Sequence, residues 1–455
     1  MVKKAETLKT HFKTREGVYE KDYNYNQEDS HQNASMLVAL PRNIVTVDSV
    51  SYVPDLSKLS LKEVHPDDPQ SIVFCTGKEV YHYNFHHDTN PRHKDKRIYK
   101  GSALPSTLSI CPADASEDHV KIAIGFTAGQ IQIVDMATSD ESKRSIAKIN
   151  DERNHDNSVI NSIQWLPGSS EILIAAFNSG DLFAFHRDYP DAVAPVNWSH
   201  KKDASVPFIE FDSKNSKEKE NPLRKWSFGK AAISAIQFSP DGGKLAIASR
   251  NGKCYVVKVS VSYDYQISFE YICAVSSFFG GFLCCSWSPS GRFLAAGGED
   301  DSITVLNVET RKPICRCQGH RSWVSSIAWD TFVAASSAGI DARLGSVGHD
   351  GILCLWDLTG DVMFPKRTRF SQSTHSWQQR TFSETERNPA PKHVNSSELP
   401  IIEPMVEKKI SNERLTYIFF HLSCFIIASQ NGSVIKWIRP HGKIFFAPFS
   451  QEKSF

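Results

Sequence analysis

Three residues, His320, Ser346 and Asp350, have the side chains that acyl transfer requires. A serine can attack a carbonyl, a histidine can accept its proton, and a carboxylate can orient the histidine. No G-x-S-x-G nucleophile elbow surrounds Ser346, which lies in a predicted strand and not on an exposed, strained turn. The sequence therefore favours a structural role for these residues, and we expect no catalytic site.

Two other groups of residues have the side chains of metal ligands. The acidic run at 299–301 could suit a hard cation, but it lies where a tight hairpin turn is expected, so we predict a structural turn. The ten cysteines lie mostly within apolar runs, and Cys284-Cys285 and Cys315-x-Cys317 lack the paired CxxC spacing of a zinc site. We therefore expect no metal and no cofactor.

The elements that position these residues are predicted to be short β-strands. Apolar and polar residues alternate in short runs bounded by Gly, Asn, Asp and Pro, with hardly any sustained helical period. This pattern predicts an all-β protein. One unit recurs with the order strand, turn, strand, tight turn, strand, and its clearest copies span 236–259, 285–308 and 327–358.

Seven copies of this unit can be counted from the tight turn between its second and third strands. Asn-Gly and Asp-Gly pairs favour such turns because Gly readily adopts a positive φ. The seven turn positions are Gly77, Gly129, Gly180, Gly252, Asp301, Gly351 and Gly432. The fifth residue after the turn is apolar in several copies, which is typical of a position that supports the fold; examples are Val134, Phe185, Val257, Trp356 and Trp437.

Two longer gaps between turns contain polar insertions, near 190–221 and 366–400. We expect exposed, mobile loops there, with regulation by phosphorylation as the alternative role because Ser and Thr lie beside Arg. The predicted domain organisation is an N-terminal arm at 1–37, one repeat domain at 38–449 and a C-terminal tail at 450–455.

The last unit has three predicted strands, near 414–420, 424–430 and 433–438. A fourth strand must come from elsewhere in the chain, because a ring of such units is sealed by its ends. The N-terminal arm around 14–19 and the segment 443–449 are both candidates for this strand.

The overall composition argues against two classes of partner. The chain has 455 residues, with 52 Lys plus Arg against 51 Asp plus Glu, so its formal net charge is +1. No global field attracts nucleic acid or an acidic membrane. The sequence shows neither a signal-peptide pattern nor about 18 consecutive apolar residues. We expect a cytoplasmic and nuclear protein that binds neither nucleic acid nor membrane.

The sixth unit carries GHRSWVSSIAWD at 319–330 and GSVGHDGILCLWD at 345–357. These segments resemble the Gly-His and Trp-Asp signature of the WD40 family. Together with the seven turns, the resemblance implies a seven-bladed WD40 β-propeller with polar loop insertions. In this family a buried His, Ser, Asp and Trp satisfy one another's hydrogen bonds within a blade. The matching residues here are His320, Ser346, Asp350 and Trp356.

Several longer stretches are similar to one particular WD40 family, which comprises the dystrophia myotonica WD-repeat protein, its animal relatives and the fungal CreC proteins of carbon catabolite repression. The stretches are TREGVY (14–19), DKRIYKG (95–101), NPLRKW (221–226), FFGGFLCCSWSPSGRFLAAGGEDDSITV (278–305), GHRSWVSSIAWD (319–330), GSVGHDGILCLWDLTGDVMFP (345–365) and ERLTYIFF (413–420). The resemblance implies a non-catalytic partner of a ubiquitin-specific protease, which binds the catalytic domain and raises its activity, often with a second WD-repeat cofactor.

Two other functions compete with this one. A propeller of the same architecture could recruit substrates to a ubiquitin ligase or read peptides in another signalling complex. An enzyme built on a propeller would need converging acids, bases or a metal set, and the sequence shows none. We therefore expect a scaffold that binds and activates a ubiquitin-specific protease, with the ligase or peptide-reading role as the alternative.

Four residues are the predicted partner-binding site. Phe278 and Phe279 lie in the loop before the fifth unit, and Arg321 and Trp323 lie in the loop before the sixth, so the two loops belong to adjacent blades and one face. The repeat pattern requires neither Phe279 nor Trp323. These two aromatics could cap the core between blades, or they could anchor an interface, since aromatic side chains dominate binding energy. We predict interface anchors, with Arg321 as a flanking charge.

Overall fold

The computed structural model describes most of the repeat region. The described residues are 11–14, 17–25, 44–46, 71–76, 78–84, 96–100, 102–111, 121–135, 145–192, 196, 198–201, 203, 205–213, 219–262, 266–330, 342–363, 399–421 and 424–440. These residues form β-strands almost throughout, which confirms the all-β prediction.

The strands are short and follow one another closely. Up to residue 227 they are β1 (His11–Lys13), β2 (Val18–Tyr25), β3 (Ile44–Thr46), β4 (Ser71–Thr76), β5 (Glu79–Asn84), β6 (Lys96–Lys100), β7 (Pro105–Ile110), β8 (Lys121–Phe126), β9 (Ile131–Asp135), β10 (Ser145–Ile149), β11 (Ile160–Trp165), β12 (Ile172–Phe177), β13 (Asp181–His186), β14 (Trp198–Lys201), β15 (Ile209–Ser213) and β16 (Arg224–Ser227).

The second part of the chain repeats this organisation. Its elements are β17 (Ile233–Phe238), β18 (Lys244–Ser249), β19 (Lys253–Val261), β20 (Ile267–Ser276), β21 (Phe282–Trp287), β22 (Phe293–Gly298), β23 (Ser302–Asn307), β24 (Lys312–Gln318), β25 (Val324–Asp330), β26 (Ala342–Gly348), β27 (Ile352–Leu358), α1 (Gly360–Met363), β28 (Ile401–Ile402), β29 (Val406–Lys409), β30 (Leu415–Phe420), β31 (Cys424–Ser429) and β32 (Val434–Ile438). No helix among the described residues is long and apolar enough to cross a membrane.

Within the described ranges the strands form seven sheets, which we number as blades 1 to 7. Blades 1, 2 and 4 are the four-stranded meanders β3–β6, β7–β10 and β17–β20. Blade 3 has the order β11-β12-β13-β16-β15-β14, and blade 5 has the order β21-β22-β23-β24-β28. Blade 6 has the order β25-β26-β27-β29, and blade 7 has the order β30-β31-β32-β2-β1.

The blades stand side by side, and the core lies between them. The first strand of each blade contacts the first strand of the next, from β3 in blade 1 to β30 in blade 7. Separate clusters of buried apolar side chains join blades 3 and 4, blades 4 and 5, and blades 5 and 6. This is the arrangement of a β-propeller, in which each sheet buries its faces against its neighbours.

The tight turns that marked the repeats join the second and third strands of their blades. Gly129, Gly180, Gly252, Gly351 and Gly432 all have φ between 71° and 96°, and Asp301 has φ 56°. A Cβ on Gly180 or Gly351 would collide with backbone carbonyl oxygens of the next loop. These turns therefore require Gly, whereas blade 5 uses Asp, which tolerates the left-handed region. Gly77 lies outside the described residues.

The five residues named above as lying five positions after a turn are buried, as expected for a position that supports the fold. These residues are Val134, Phe185, Val257, Trp356 and Trp437, each at most 2% exposed. They lie on the third strands β9, β13, β19, β27 and β32, where they pack between blades. Their shared position explains why a Trp recurs there without any chemical function.

The insertion near 190–221 differs from the prediction. Strands β14 and β15 extend blade 3 outward, and Trp198 pairs with Ser213 across them. Phe208 is buried, and the rings of Trp198 and Phe211 meet edge to face at 6.3 Å. The prediction of a loop insertion is therefore wrong for these residues, because their few aromatic side chains suffice to cover the sheet. Most of the insertion near 366–400 lies outside the described residues.

The outer strands of blade 7 come from the N-terminal arm. Strand β2 pairs antiparallel with β32, and Glu20 lies opposite Ile438. Phe12 on β1 stacks on Tyr19 at 5.0 Å and contacts Trp437 at 5.2 Å, so the arm also covers the blade core. The arm therefore supplies the fourth strand, while 443–449 lies outside the described residues. The three strands predicted from 414 to 438 match β30, β31 and β32, and the domain boundaries stay a prediction.

Candidate functional site

Two loops that precede first strands, 277–281 before β21 and 319–323 before β25, lie on one face of the propeller. The turns after β22 and β26 lie on the same face, and their Asp side chains accept hydrogen bonds from backbone N–H groups of the loops. The N–H of Phe278 donates to Asp300 Oδ2 over 2.9 Å, and the N–H of Arg321 donates to Asp350 Oδ2 over 2.9 Å. We call this side of the propeller the loop face.

A buried polar chain in blade 6 fixes the second of these loops. His320 Nδ1 lies 2.9 Å from Asp350 Oδ2, and His320 Nε2 lies 2.6 Å from the Ser346 hydroxyl. Burial by itself would raise the pKa of the Asp350 carboxyl, but hydrogen bonds from His320 and from the N–H groups of Arg321 and Ile352 hold this pKa below its ordinary value. The carboxylate is therefore ionised and serves as the anchor of the loop.

Trp356 departs from the expected network. Its ring is fully buried and its centre lies 5.9 Å from that of His320, but the indole Nε1 has no hydrogen-bond partner. The structure therefore joins His320, Ser346 and Asp350 and leaves Trp356 as an apolar neighbour. The burial of Ser346 inside strand β26 also separates its hydroxyl from any substrate, unlike a nucleophile on an exposed turn.

The predicted anchors are exposed. Phe278 is 61% exposed, Phe279 57% and Trp323 40%, which is unusual for such large apolar side chains. The two phenylalanine rings meet edge to face at 6.1 Å, and Trp323 lies 5.5 Å from the ring of His349. A side chain that capped the core would be buried, so these exposures argue against core capping by Phe279 and Trp323, and their role as interface anchors stays a prediction.

Arg321 is the flanking charge of the predicted site. Its side chain is exposed, and Nη2 lies 2.7 Å from Glu407 Oε1 on β29. An exposed ion pair of this kind contributes about 0 to 1 kcal/mol to stability. Arg321 could therefore leave Glu407 and pair with an acid of a partner at little cost. The pair connects the loop before blade 6 to the outer strand of the same blade.

Two further residues belong to this region but have no signal in the sequence. Ile401 on β28 is 60% exposed, and it pairs with Arg316 of β24 in a short parallel ladder. The guanidinium carbon of Arg316 lies 5.2 Å from the centre of the Phe278 ring. Ile401 follows a polar insertion that gives no strand pattern, so its place at the edge of blade 5 could not be predicted.

Exposed apolar side chains are concentrated in blades 5 and 6. The described residues include seven large exposed hydrophobic side chains, and four of them are here. We call these four the blade 5–6 patch: Phe278, Phe279, Trp323 and Ile401. Exposed apolar groups of this kind, framed by polar residues, are typical of protein-binding surfaces.

The acidic run at 299–301 acts as a turn. Glu299 Oε2 accepts a hydrogen bond from the N–H of Gly281 over 2.8 Å, and Asp300 Oδ2 accepts one from the N–H of Phe278. Burial, followed by the nearby charges of Asp300 and Asp350, raises the pKa of Asp301. Within the described ranges no group of three or more His, Cys, Asp or Glu side chains could hold a metal ion.

Comparisons with known proteins agree with this architecture. Residues 221–258 match the family described as WD domain, G-beta repeat, and residues 282–331 match the Anaphase-promoting complex subunit 4 WD40 domain. The crystal structure of the WD40 beta propeller domain of Doa1 superimposes with a TM-score of 0.52 at 9% identity, over 93% of this chain and 98% of that one. The fold is a WD40 β-propeller. A chain from the crystal structure of the Mitotic Checkpoint Complex has a TM-score of 0.49 at 12% identity, over 81% of this chain and 84% of that one.

A curated relative extends the comparison to sequence. The WD repeat-containing protein 20 homolog of Caenorhabditis elegans is 27% identical over 367 residues, which are 64% of this chain and 46% of that protein. The chain thus matches about half the length of this relative. These similarities support a WD-repeat scaffold, and the narrower family of the dystrophia myotonica WD-repeat protein and CreC stays a prediction.

Proposed function

We propose that this propeller is a non-catalytic scaffold that binds a ubiquitin-specific protease through the blade 5–6 patch and raises its activity. The observation that carries the proposal is the exposure of Phe278, Phe279 and Trp323 on loops that Asp300 and Asp350 hold in place. Rigid, exposed aromatics are the side chains that dominate interface energies. The sequence motifs that resemble protease-activating propellers include both loops.

The energetics favour binding through these residues over a purely structural role. Each large apolar side chain that a partner buries contributes about 1.5 to 3 kcal/mol. Hydrogen bonds to the Asp300 and Asp350 carboxylates already order the loops, so little of the binding free energy is spent on ordering them.

In the proposed complex a second WD-repeat cofactor contacts the same protease, and the complex acts in the cytoplasm and nucleus.

Reconstitution with purified components tests the proposal. The catalytic domains of several ubiquitin-specific proteases are mixed with the wild-type chain, and hydrolysis of a fluorogenic ubiquitin substrate is followed with and without a second WD-repeat protein. We expect kcat/KM to rise for at least one protease, while the chain alone shows no hydrolysis. Ile146→Ala controls for the loss of an exposed apolar side chain outside the blade 5–6 patch, because Ile146 is exposed on the outer strand of blade 2.

Affinity purification from cells gives a second result. Recovery of a ubiquitin-specific protease with the wild-type chain supports the proposal. Recovery of a ligase adaptor without any such protease, together with no activation in the reconstituted assay, would contradict it and favour a substrate-recruiting propeller.

A further inference from the structure

Arg316, at the edge of the blade 5–6 patch, is a buried cation without hydrogen bonds from its side chain. The residue is 5% exposed, and neither Nε nor Nη2 of its guanidinium has a hydrogen-bond partner. Its backbone N–H donates to the carbonyl of Pro400, which fixes the position of β24 against β28. An unpaired buried charge is costly, and proteins seldom keep one without a use.

The geometry of the guanidinium indicates its ligand. Nε and Nη2 lie on one edge of the planar group, and such an edge donates two parallel hydrogen bonds to the two oxygens of a carboxylate. In the present structure the Phe278 ring covers the group at 5.2 Å, and this cation–π contact replaces part of the missing solvation. Because Phe278 is mostly exposed, its ring can rotate away without opening the core.

Three described carboxylates of blades 5 and 6 have other partners. Asp300 and Glu299 accept hydrogen bonds from backbone N–H groups of the loop before β21. Glu407 pairs with Arg321. None of these three acids bonds to Arg316, so among the described residues its Nε and Nη2 are left open to a carboxylate of another molecule.

We infer that Arg316 binds the carboxylate of an Asp or Glu side chain of a partner protein. The acid enters between Phe278 and Ile401, and apolar neighbours of that acid pack on the exposed side chains of the blade 5–6 patch. The inference deepens the proposed function, because it names the chemistry that the partner presents at the same surface. The recognition of a carboxylate itself does not depend on the partner's being a protease.

A peptide array tests this recognition without any protease. Synthetic peptides carry Leu and Phe around a central Glu, Gln or phosphoserine, and they are probed with the wild-type chain, Arg316→Met and Arg250→Met. Arg250 is the matched control, because it is an exposed arginine on the turn of the adjacent blade 4. We expect the wild type to prefer Glu over Gln peptides by about tenfold, Arg316→Met to lose this preference, and Arg250→Met to keep it.

Three outcomes of the array would overturn the inference. They are equal binding of Glu and Gln peptides by the wild type, a retained preference in Arg316→Met, and stronger binding of phosphoserine peptides than of Glu peptides.

Thermal unfolding separates recognition from a structural role. Met has a similar length and removes an unpaired buried charge, so the Tm of Arg316→Met should equal or exceed that of the wild type.

Binding to a protease catalytic domain separates this inference from the proposed function. If the domain binds the wild type, Arg316→Met should weaken the affinity about tenfold and reduce its dependence on salt. Protease binding that is unchanged in Arg316→Met would overturn the inference and leave the proposed function standing. A wild type that prefers Glu peptides but binds no ubiquitin-specific protease would support the inference and contradict the proposed function.

Discussion

Asp300 and Phe278 are joined by a hydrogen bond in which the backbone N–H of Phe278 donates to the Asp300 carboxylate over 2.9 Å. One blade further on, Asp350 accepts the N–H of Arg321 over the same distance. In both blades an acid of the hairpin turn thus fixes the loop that displays exposed aromatic side chains. The repeat architecture therefore orders these side chains for binding before a partner arrives.

Asp300→Ala should weaken partner binding although residue 300 lies under the loop. Without the carboxylate, the Phe278 N–H loses a charged acceptor, and the loop must be ordered on binding. We expect the affinity for the protease catalytic domain, measured by calorimetry, to fall about tenfold, which corresponds to ~1.4 kcal/mol. Asp300→Asn keeps an acceptor oxygen and should fall less. Equal affinity of the wild type and Asp300→Ala would show that the loop needs no such support.

His320→Ala and Ser346→Ala should lower stability without removing a chemical step. Each change leaves a buried polar partner unsatisfied, at a cost of about 1 to 3 kcal/mol in the free energy of unfolding. Urea denaturation of both variants measures this cost. The prediction fails if the wild type hydrolyses peptides or esters after re-purification and folded Ser346→Ala does not.

Asp301→Asn should stabilise the propeller at neutral pH. Because burial and neighbouring carboxylates raise the pKa of Asp301, the native state binds its proton more readily than the unfolded state. The wild type therefore loses stability as pH rises through this raised pKa, and it stays penalised at pH 7. Asn carries no charge and tolerates the positive φ of 56°.

The measurement for Asp301→Asn is the difference in Tm from the wild type between pH 7 and pH 4. The variant should melt higher at pH 7, and its advantage should shrink as the pH approaches the ordinary carboxyl pKa of 3.8. A variant that melts lower than the wild type at pH 7 would show that the charge of Asp301 stabilises the turn.

The number of blades could be predicted from the sequence because its signals are local. A turn that needs a positive φ selects Gly within a few residues, and Gly129 or Gly351 can therefore be recognised without knowing the fold. The exposed aromatics could be predicted for a similar reason. Phe279 and Trp323 lie at fixed places before the first strands, where the repeat needs no large side chain.

The features that could not be predicted depend on contacts between distant segments. The pairing of Arg316 with Ile401 joins strands separated by a polar insertion, and no spacing rule relates them. Strands β14 and β15 were missed because their few apolar residues are surrounded by charges. The unpartnered indole of Trp356 depends on the exact position of His320, which the motif alone does not determine.

Phe12→Ala should destabilise the propeller through blade 7. The Phe12 ring is buried between Tyr19 and Trp437, so its removal leaves a cavity that costs roughly 3 to 5 kcal/mol in the free energy of unfolding. Lys13→Ala is the matched control, because Lys13 is exposed on the same strand. If urea denaturation gives equal midpoints for the two variants, β1 does not cover blade 7 in solution.

The most direct test of the proposed function is the affinity of Phe279→Ala and Trp323→Ala for a ubiquitin-specific protease that the wild type activates. Each variant should lose about 2 to 4 kcal/mol of binding free energy in calorimetry, while its Tm stays close to that of the wild type. Ile146→Ala should bind like the wild type. Full protease binding by both folded variants would contradict the assignment of the blade 5–6 patch as the partner-binding surface.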